Sequence, residues 1–149
     1  MFKVEVNNLE EYINFDSLRK SDLKKLDRLI VKSAPSLKRF FHKGTPVGEI
    51  GMRFKMIGYG KTIHTVKSGQ STIWPVIGVA LQKNYISVYF AVNQRKSSIV
   101  DAYIGKLGEL HCGQNNFSFE SFDDLNTETL SALIAETAMI FSAQQKNSS

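Results

Sequence analysis

The residues that most often carry catalysis or hold metals are sparse in this sequence. The three histidines, His42, His64 and His111, lie far apart, and only His111 has a second ligand-type residue beside it, Cys112. Adjacent residues on a strand point to opposite faces, so this pair would chelate a metal poorly. The chain has no HExxH, CxxC or Gly-x-Ser-x-Gly motif, and His111 is the one base next to the single cysteine. We therefore assign no catalytic residues and expect a protein that is not an enzyme.

A short glycine motif, Gly58-Tyr59-Gly60-Lys61, shares part of its composition with phosphate-binding loops. Such loops need the spacing Gly-x-x-x-x-Gly-Lys-Ser/Thr, because successive backbone N–H groups must surround the phosphates. The motif lacks that spacing, and we interpret it as a turn.

Large amphipathic side chains lie on or beside the predicted strands, and pockets combine such walls with a few polar groups. If Tyr85 and Tyr89 share the less buried face, they line a cleft with Trp74 and Lys61. The alternative is simple packing of that face under a helix. The predicted site would bind an unknown small molecule or protein, and it comprises Tyr59, Lys61, Trp74, Lys83, Tyr85 and Tyr89.

Charge is distributed unevenly along the chain. The net charge of +5 divides into −2 for residues 1–15, +12 for residues 16–100 and −5 for residues 101–149. The basic middle either balances the acidic end within one fold or forms a face for an anionic partner. The predicted anion-binding residues all lie in the first long helix; they are Lys20, Lys24, Lys25, Arg28 and Lys32.

Nucleic acid is one such partner, since the sequence pI is about 9.3 and Tyr59, Trp74, Tyr85 and Tyr89 suit base stacking. The sequence contains no helix-turn-helix, RNP-type or zinc-finger pattern in support. Lysines opposite an apolar stripe are also typical of any solvated helix face, and this interpretation stays open beside the first.

Hydrophobic periodicity predicts the elements that must position these residues. A helix is predicted over 16–34, where Leu23, Leu26 and Ile30 share one face, and Pro35 ends it. A period of two predicts strands, and Lys83-Asn84 suits a tight hairpin between two of them. The remaining predictions are helices over 36–41, 97–107 and 127–143, and strands over 50–56, 61–66, 76–82, 85–92 and 116–120.

The chain length of 149 residues fits one domain, and this order of elements predicts an α+β layer fold. Residues 144–149 are polar, and we expect them to be frayed. The longest apolar run, 74–81, has eight residues, whereas a membrane span needs about 20, so no membrane partner is expected. The charged N-terminus is unlike a signal peptide, and one cysteine suits a reducing cytoplasm.

Several segments together resemble the YdhG-like family, a domain of unknown function. These segments are Met56 to Lys61, Trp74 to Ala80 and Gln82 to Tyr89, followed by Tyr103, Lys106-Leu107-Gly108 and Gly113. The resemblance covers about residues 15–142, and it implies a curved, mostly antiparallel sheet of about five strands packed with N- and C-terminal helices. It also implies a stand-alone bacterial protein without assigned activity.

Some members of that family are labelled frataxin-like iron chaperones, so the resemblance offers iron handling as an alternative function. Iron ions favour clustered carboxylates, and the densest cluster here includes Glu120 with Asp123, Asp124 and Glu128. Acids at the start of a helix are also explained by the helix dipole alone. Gly113-Gln114-Asn115-Asn116 departs from the Gly-Lys-Ser-Cys-like stretch of many relatives, which weakens this inference.

Overall fold

The computed structural model describes residues 4–44, 54–65, 67–91, 93–94, 97–98, 103–108, 110–112 and 116–147. Its helices are α1 (Leu9–Asn14), α2 (Lys20–Ser33) and α3 (Thr127–Asn147), with two 3-10 turns at Ile104–Lys106 and Phe122–Asp124. Its strands are β1 (Arg39–His42), β2 (Met56–Thr65), β3 (Ser71–Leu81), β4 (Ile86–Phe90), β5 (Asn93–Gln94), β6 (Ser97–Ser98), β7 (His111–Cys112) and β8 (Asn116–Phe119).

The main sheet has six strands in the order β1-β2-β3-β4-β8-β7, and every neighbouring pair is antiparallel. β5 and β6 form a separate two-stranded pair. The α+β architecture with N- and C-terminal helices is therefore confirmed. β4, within the predicted strand over 85–92, lies inside the sheet between β3 and β8, so its backbone is paired on both sides.

One face of the sheet forms the core together with the helices. Tyr59, Ile77 and Phe90 lie in one cross-strand row on this face, and all three are buried. The helices contribute leucines and isoleucines of α2 and α3 to the same cluster. Because side chains alternate along a strand, the neighbouring row Phe40-Gly58-Gly78-Tyr89 lies on the opposite face, here called the outer sheet face.

α2 confirms the predicted amphipathic helix, with Leu23, Leu26 and Ile30 buried. It starts at Lys20, four residues later than predicted, since Asp16 closes a turn before it. The carbonyl of Asp16 accepts from the N–H of Lys20 at 2.8 Å, and its carboxylate accepts from the N–H of Leu18 at 3.0 Å. Side-chain hydrogen bonding to nearby backbone favours turns over helix in this way.

The prediction of a short helix over 36–41 is wrong, because Arg39–His42 is strand β1. Gly58-Tyr59-Gly60 is likewise not a turn but part of β2. Gly60 has φ of +75°, and a Cβ there would lie 2.9 Å from Leu37 Cδ2. Glycine is thus required for both its backbone conformation and its close approach. Of the predicted strand over 50–56, residues 50–53 lie outside the described residues.

The predicted helix over 97–107 is also wrong where the structure describes it. Residues Ser97–Ser98 pair as a strand, and only Ile104–Lys106 forms a helical turn. Residues 99–102 lie outside the described part. α3 continues to Asn147, beyond the predicted end near 143 and through most of the tail that was expected to fray.

Candidate functional site

The solvent-facing side of α2 carries the predicted anion-binding residues. Because Leu23, Leu26 and Ile30 turn inward, the helical period turns the lysines and arginine outward. Lys25, Arg28 and Lys32 are exposed, whereas Lys20 and Lys24 are half-buried. We call the set the α2 basic face; its members are Lys20, Lys24, Lys25, Arg28 and Lys32.

Four members of the α2 basic face follow one another at a spacing of four residues. Lys20, Lys24, Arg28 and Lys32 thus form a stripe along the helix, with about 6 Å of helix axis between successive residues and about 18 Å in all. Like charges at this spacing destabilise a helix by about 0.2–0.5 kcal/mol per pair. The stripe therefore carries a small repulsion that an anionic partner would relieve.

Ion pairs do little to neutralise the α2 basic face. Lys25 Nζ lies 3.8 Å from Asp123 Oδ1, and the two side chains are 45% and 81% exposed, so the pair is weak. Within the described residues, the four members of the stripe form no ion pair shorter than 4.0 Å. Their charge is thus open to solvent and to a ligand.

Asp27, an acid at the edge of this face, is already engaged inside the protein. Its Oδ1 accepts from the Tyr59 hydroxyl at 2.6 Å, and its Oδ2 lies 2.7 Å from Arg39 Nη1. Burial, followed by the charge and hydrogen bond of Asp27, raises the pKa of Tyr59 well above its ordinary value. The neutral hydroxyl therefore remains a fixed donor, and Asp27 serves to anchor α2 to the sheet.

Two shallow clefts line the α2 basic face and meet at Arg28. The first has a volume of about 340 Å³ and is lined by Ser17, Lys20, Ser21, Lys24, Lys25 and Arg28. The second has a volume of about 420 Å³ and is lined by Asp27, Arg28, Val31, Lys32, Leu37 and Arg39. Together they make a cationic surface that continues from α2 to the start of β1.

The predicted aromatic site is divided by the structure. Tyr59 is fully buried on the core side, while Tyr89 lies half-buried on the outer sheet face against Phe54, with 5.5 Å between ring centroids. Lys83 and Tyr85 lie in the β3–β4 turn, where the Gln82 N–H donates to the Tyr85 carbonyl at 2.9 Å. The structure does not bring Tyr59 and Tyr89 to one surface.

Lys61 and Trp74 lie instead on the part of the β2–β3 hairpin that extends past its pairing with β1 and β4. Lys61 Nζ is 4.8 Å from the centroid of the Phe40 ring, a cation–π contact on the outer sheet face. Trp74 pairs with Thr62 across the hairpin and is half-buried. Phe40 and Phe54 could not be predicted from the sequence as the aromatic neighbours, because both lie outside the predicted hairpin.

The acidic residues predicted to bind a metal ion are spread over the start of α3 and the turn before it. Asp123 and Asp124 are exposed in the 3-10 turn, and Glu128 is exposed in the first turn of α3. In the described part of the chain, no three His, Cys, Asp or Glu side chains are grouped to hold a metal ion. Asp124 lines a cleft of about 410 Å³ with Glu120 and His111.

The histidines also lie apart in the structure. His42 is buried, its Nδ1 accepts from the Gly44 N–H at 3.2 Å, and desolvation lowers its pKa. His111 is exposed at the sheet edge on β7. The side chains of His64 and Cys112 lie outside the described part.

Comparison of the chain with protein-family models, with curated proteins and with solved structures found no match. Among the helices that the structure describes, none combines the length and the apolar character needed to cross a membrane.

Proposed function

We propose that this protein is a non-enzymatic binding protein and that its α2 basic face binds a polyanion of the nucleic-acid type. The observation that carries the proposal is the stripe of four cations on the solvent-facing side of α2, two exposed and two half-buried, which form no ion pair shorter than 4.0 Å among the described residues. A strand of nucleic acid carries one charge per about 3.4 Å, so a stripe of about 18 Å faces about five phosphates.

The two acids of α2 itself do not oppose this interaction, and Asp123 pairs with Lys25, which lies outside the stripe. Asp27 is neutralised by Arg39 and held by Tyr59, and the helical period places Asp22 toward the other flank of α2. Serines 17 and 21 supply small hydroxyl groups beside the lysines in the first cleft. Cations with neighbouring hydroxyl donors are the usual contacts of a phosphate backbone.

Binding to fluorescein-labelled oligonucleotides, measured by anisotropy across a salt series, tests the proposal. Lys24→Gln/Arg28→Gln removes two charges from the stripe, and Lys83→Gln/Lys106→Gln removes two exposed charges elsewhere. On duplex DNA, the slope of log K against log salt is negative, and the stripe variant is expected to make it less steep by about 1.8. The control variant is expected to change the slope by much less. Equal slopes for wild type and stripe variant, or no wild-type binding at low salt, would contradict the proposal.

A second candidate is ligand binding on the outer sheet face by a member of the YdhG-like family. Lys61 over Phe40 and Tyr89 beside Phe54 support it, since each joins an aromatic wall to a polar group. A small-molecule screen by thermal shift tests it, repeated on Tyr89→Ala and on Phe15→Ala, an exposed aromatic at the end of α1, as control. Ligands whose shift survives Tyr89→Ala would argue against this site.

Iron handling through Asp123, Asp124 and Glu128 stays a prediction from the family resemblance, and no grouping of these carboxylates supports it in the described residues. A cytoplasmic location stays a prediction as well, based on the lone cysteine.

A further inference from the structure

The β2–β3 hairpin extends past its neighbours in the sheet. The pairing of β1 with β2 ends at Tyr59, and the pairing of β4 with β3 ends at Ile77. Beyond these points Lys61–Thr65 pairs with Ser71–Pro75 for about 17 Å, and no other described strand joins them. We call these two segments with the loop 67–70 the hairpin arm.

Two large aliphatic side chains lie exposed on the hairpin arm. Ile63 and Ile73 are direct cross-strand partners, and they are 72% and 53% exposed. Alternation within the arm places them on the same side as Lys61 and its partner Pro75. Lys61 contacts Phe40, and Pro75 Cγ lies 3.1 Å from the position of a Cβ on Gly78, so this side continues the outer sheet face. The alternation that places Tyr59 in the core is interrupted at Gly60, whose φ is +75°. Paired isoleucines at such exposure contribute little to the core.

The charge of the arm has one sign. Residues 50–100 contain no Asp or Glu, and the arm itself carries exposed Lys61 and Lys67. Opposite the arm's apolar pair, a partner must therefore present negative charge around an apolar recess. The grooves of a nucleic-acid duplex have this chemistry, with phosphates at the rims and base edges and methyl groups inside.

The base of the arm adjoins the α2 basic face. The Gly60 N–H donates to the Lys38 carbonyl at 2.8 Å, and a Cβ on Gly60 would touch Leu37. Leu37 and Arg39 line the second cleft together with Arg28 and Lys32. A ligand that bridges helix and arm needs repeated negative charge over the distance between them, which favours a duplex over a short acidic peptide.

We infer that the hairpin arm enters a groove of double-stranded nucleic acid while the α2 basic face holds the phosphate backbone; this inference rests on the proposed function. A two-stranded ribbon fits the major groove, which is about 12 Å wide. Ile63 and Ile73 then contact base edges, and Lys61 and Lys67 contact phosphates on the rims. The arm supplies the preference for duplex, and α2 supplies the general affinity.

The test compares a 20-base-pair duplex, one of its single strands and polyglutamate as labelled probes in the anisotropy assay. Ile63→Thr/Ile73→Thr keeps β-branched residues, and Leu18→Gln/Met139→Gln is the matched change at two other exposed apolar sites. The arm variant is expected to weaken duplex binding about tenfold with an unchanged salt slope, as expected when two aliphatic contacts are lost. Single-strand binding and the control variant should change less than about twofold.

Three results would overturn the inference about the arm: duplex binding by the arm variant as tight as wild type, equal loss on duplex and single strand, or an Ile-dependent binding of polyglutamate. Lys61→Gln gives an independent check. The loss of one phosphate contact should make the slope of log K against log salt on duplex DNA less steep by about 0.9. Failure of the proposed function is seen separately, because there the Lys24→Gln/Arg28→Gln variant would bind every probe like wild type.

Discussion

Tyr59 joins the sheet to helix α2 through one hydrogen bond. Its ring is fully buried and its hydroxyl donates to Asp27, although its residue type and its glycine neighbours had suggested the wall of a ligand site. Alternation along a strand assigns residues to two faces but does not say which face meets the helices. That choice depends on register, and pairing with Ile77 places Tyr59 in the core.

The Tyr59–Asp27 hydrogen bond should contribute measurably to stability. Tyr59→Phe keeps the ring and removes the donor, so the buried part of the Asp27 carboxylate loses one partner while Arg39 remains. We expect a loss of about 1.5–3 kcal/mol in the free energy of unfolding, as for hydrogen bonds to charged groups. Urea denaturation followed by circular dichroism measures it.

Tyr85→Phe is the matched control, because Tyr85 is exposed in the β3–β4 turn. Its free energy of unfolding should stay within about 0.5 kcal/mol of wild type. An equal effect of both substitutions would show that the Tyr59 hydroxyl contributes nothing specific.

Among the secondary-structure elements, those with a clear hydrophobic periodicity were predicted correctly. Hydrophobic periodicity and the Lys83-Asn84 turn predicted α2, the β3–β4 hairpin, β8 and the start of α3. The helices over 36–41 and 97–107 were wrong because short apolar spacings fit a helix and a strand alike. Strand pairing fixed both segments: β1 forms the edge of the sheet beside β2, and Ser97–Ser98 pairs with Asn93–Gln94.

The cap of α3 allows a direct test at this scale. Asn126 Oδ1 accepts from the Thr129 N–H at 3.1 Å, the contact of an N-cap, and the backbone N–H of Asn126 donates to the Leu107 carbonyl at 2.7 Å. Asn126→Ala removes only the side-chain acceptor, and we expect a loss of about 1 kcal/mol in the free energy of unfolding. Asn126→Asp, which keeps an acceptor, should differ from wild type by a few tenths; a loss as large as that of alanine would contradict the capping role.

At the scale of the whole molecule, the uneven charge of the chain persists in the fold. In the described residues, Lys25–Asp123 is the one ion pair shorter than 4.0 Å that joins the basic middle to the acidic C-terminal third. Arg39–Asp27 and Arg19–Asp16 lie within the middle itself. Among the described residues, the acidic C-terminal third therefore neutralises little of the charge of the basic middle, which favours an anionic partner. The position of the basic helix was predictable from the sequence, but only the fold shows that its stripe forms no ion pair with the described residues and that it adjoins the hairpin arm.

Stability of the whole fold should fall in alkaline solution, in part through Tyr59. Burial raises the pKa of this hydroxyl above the value of about 10 that it has in the unfolded chain, so the folded state keeps its proton when the unfolded state has lost it. The stabilisation is then complete below pH of about 10 and decreases as pH rises further, by up to about 1.4 kcal/mol per pH unit for this group. Tyr59→Phe cannot ionise at this position, so its deficit relative to wild type should shrink above that pH. Urea titrations of both proteins from neutral to alkaline pH measure the difference; parallel pH curves would contradict a raised pKa for Tyr59.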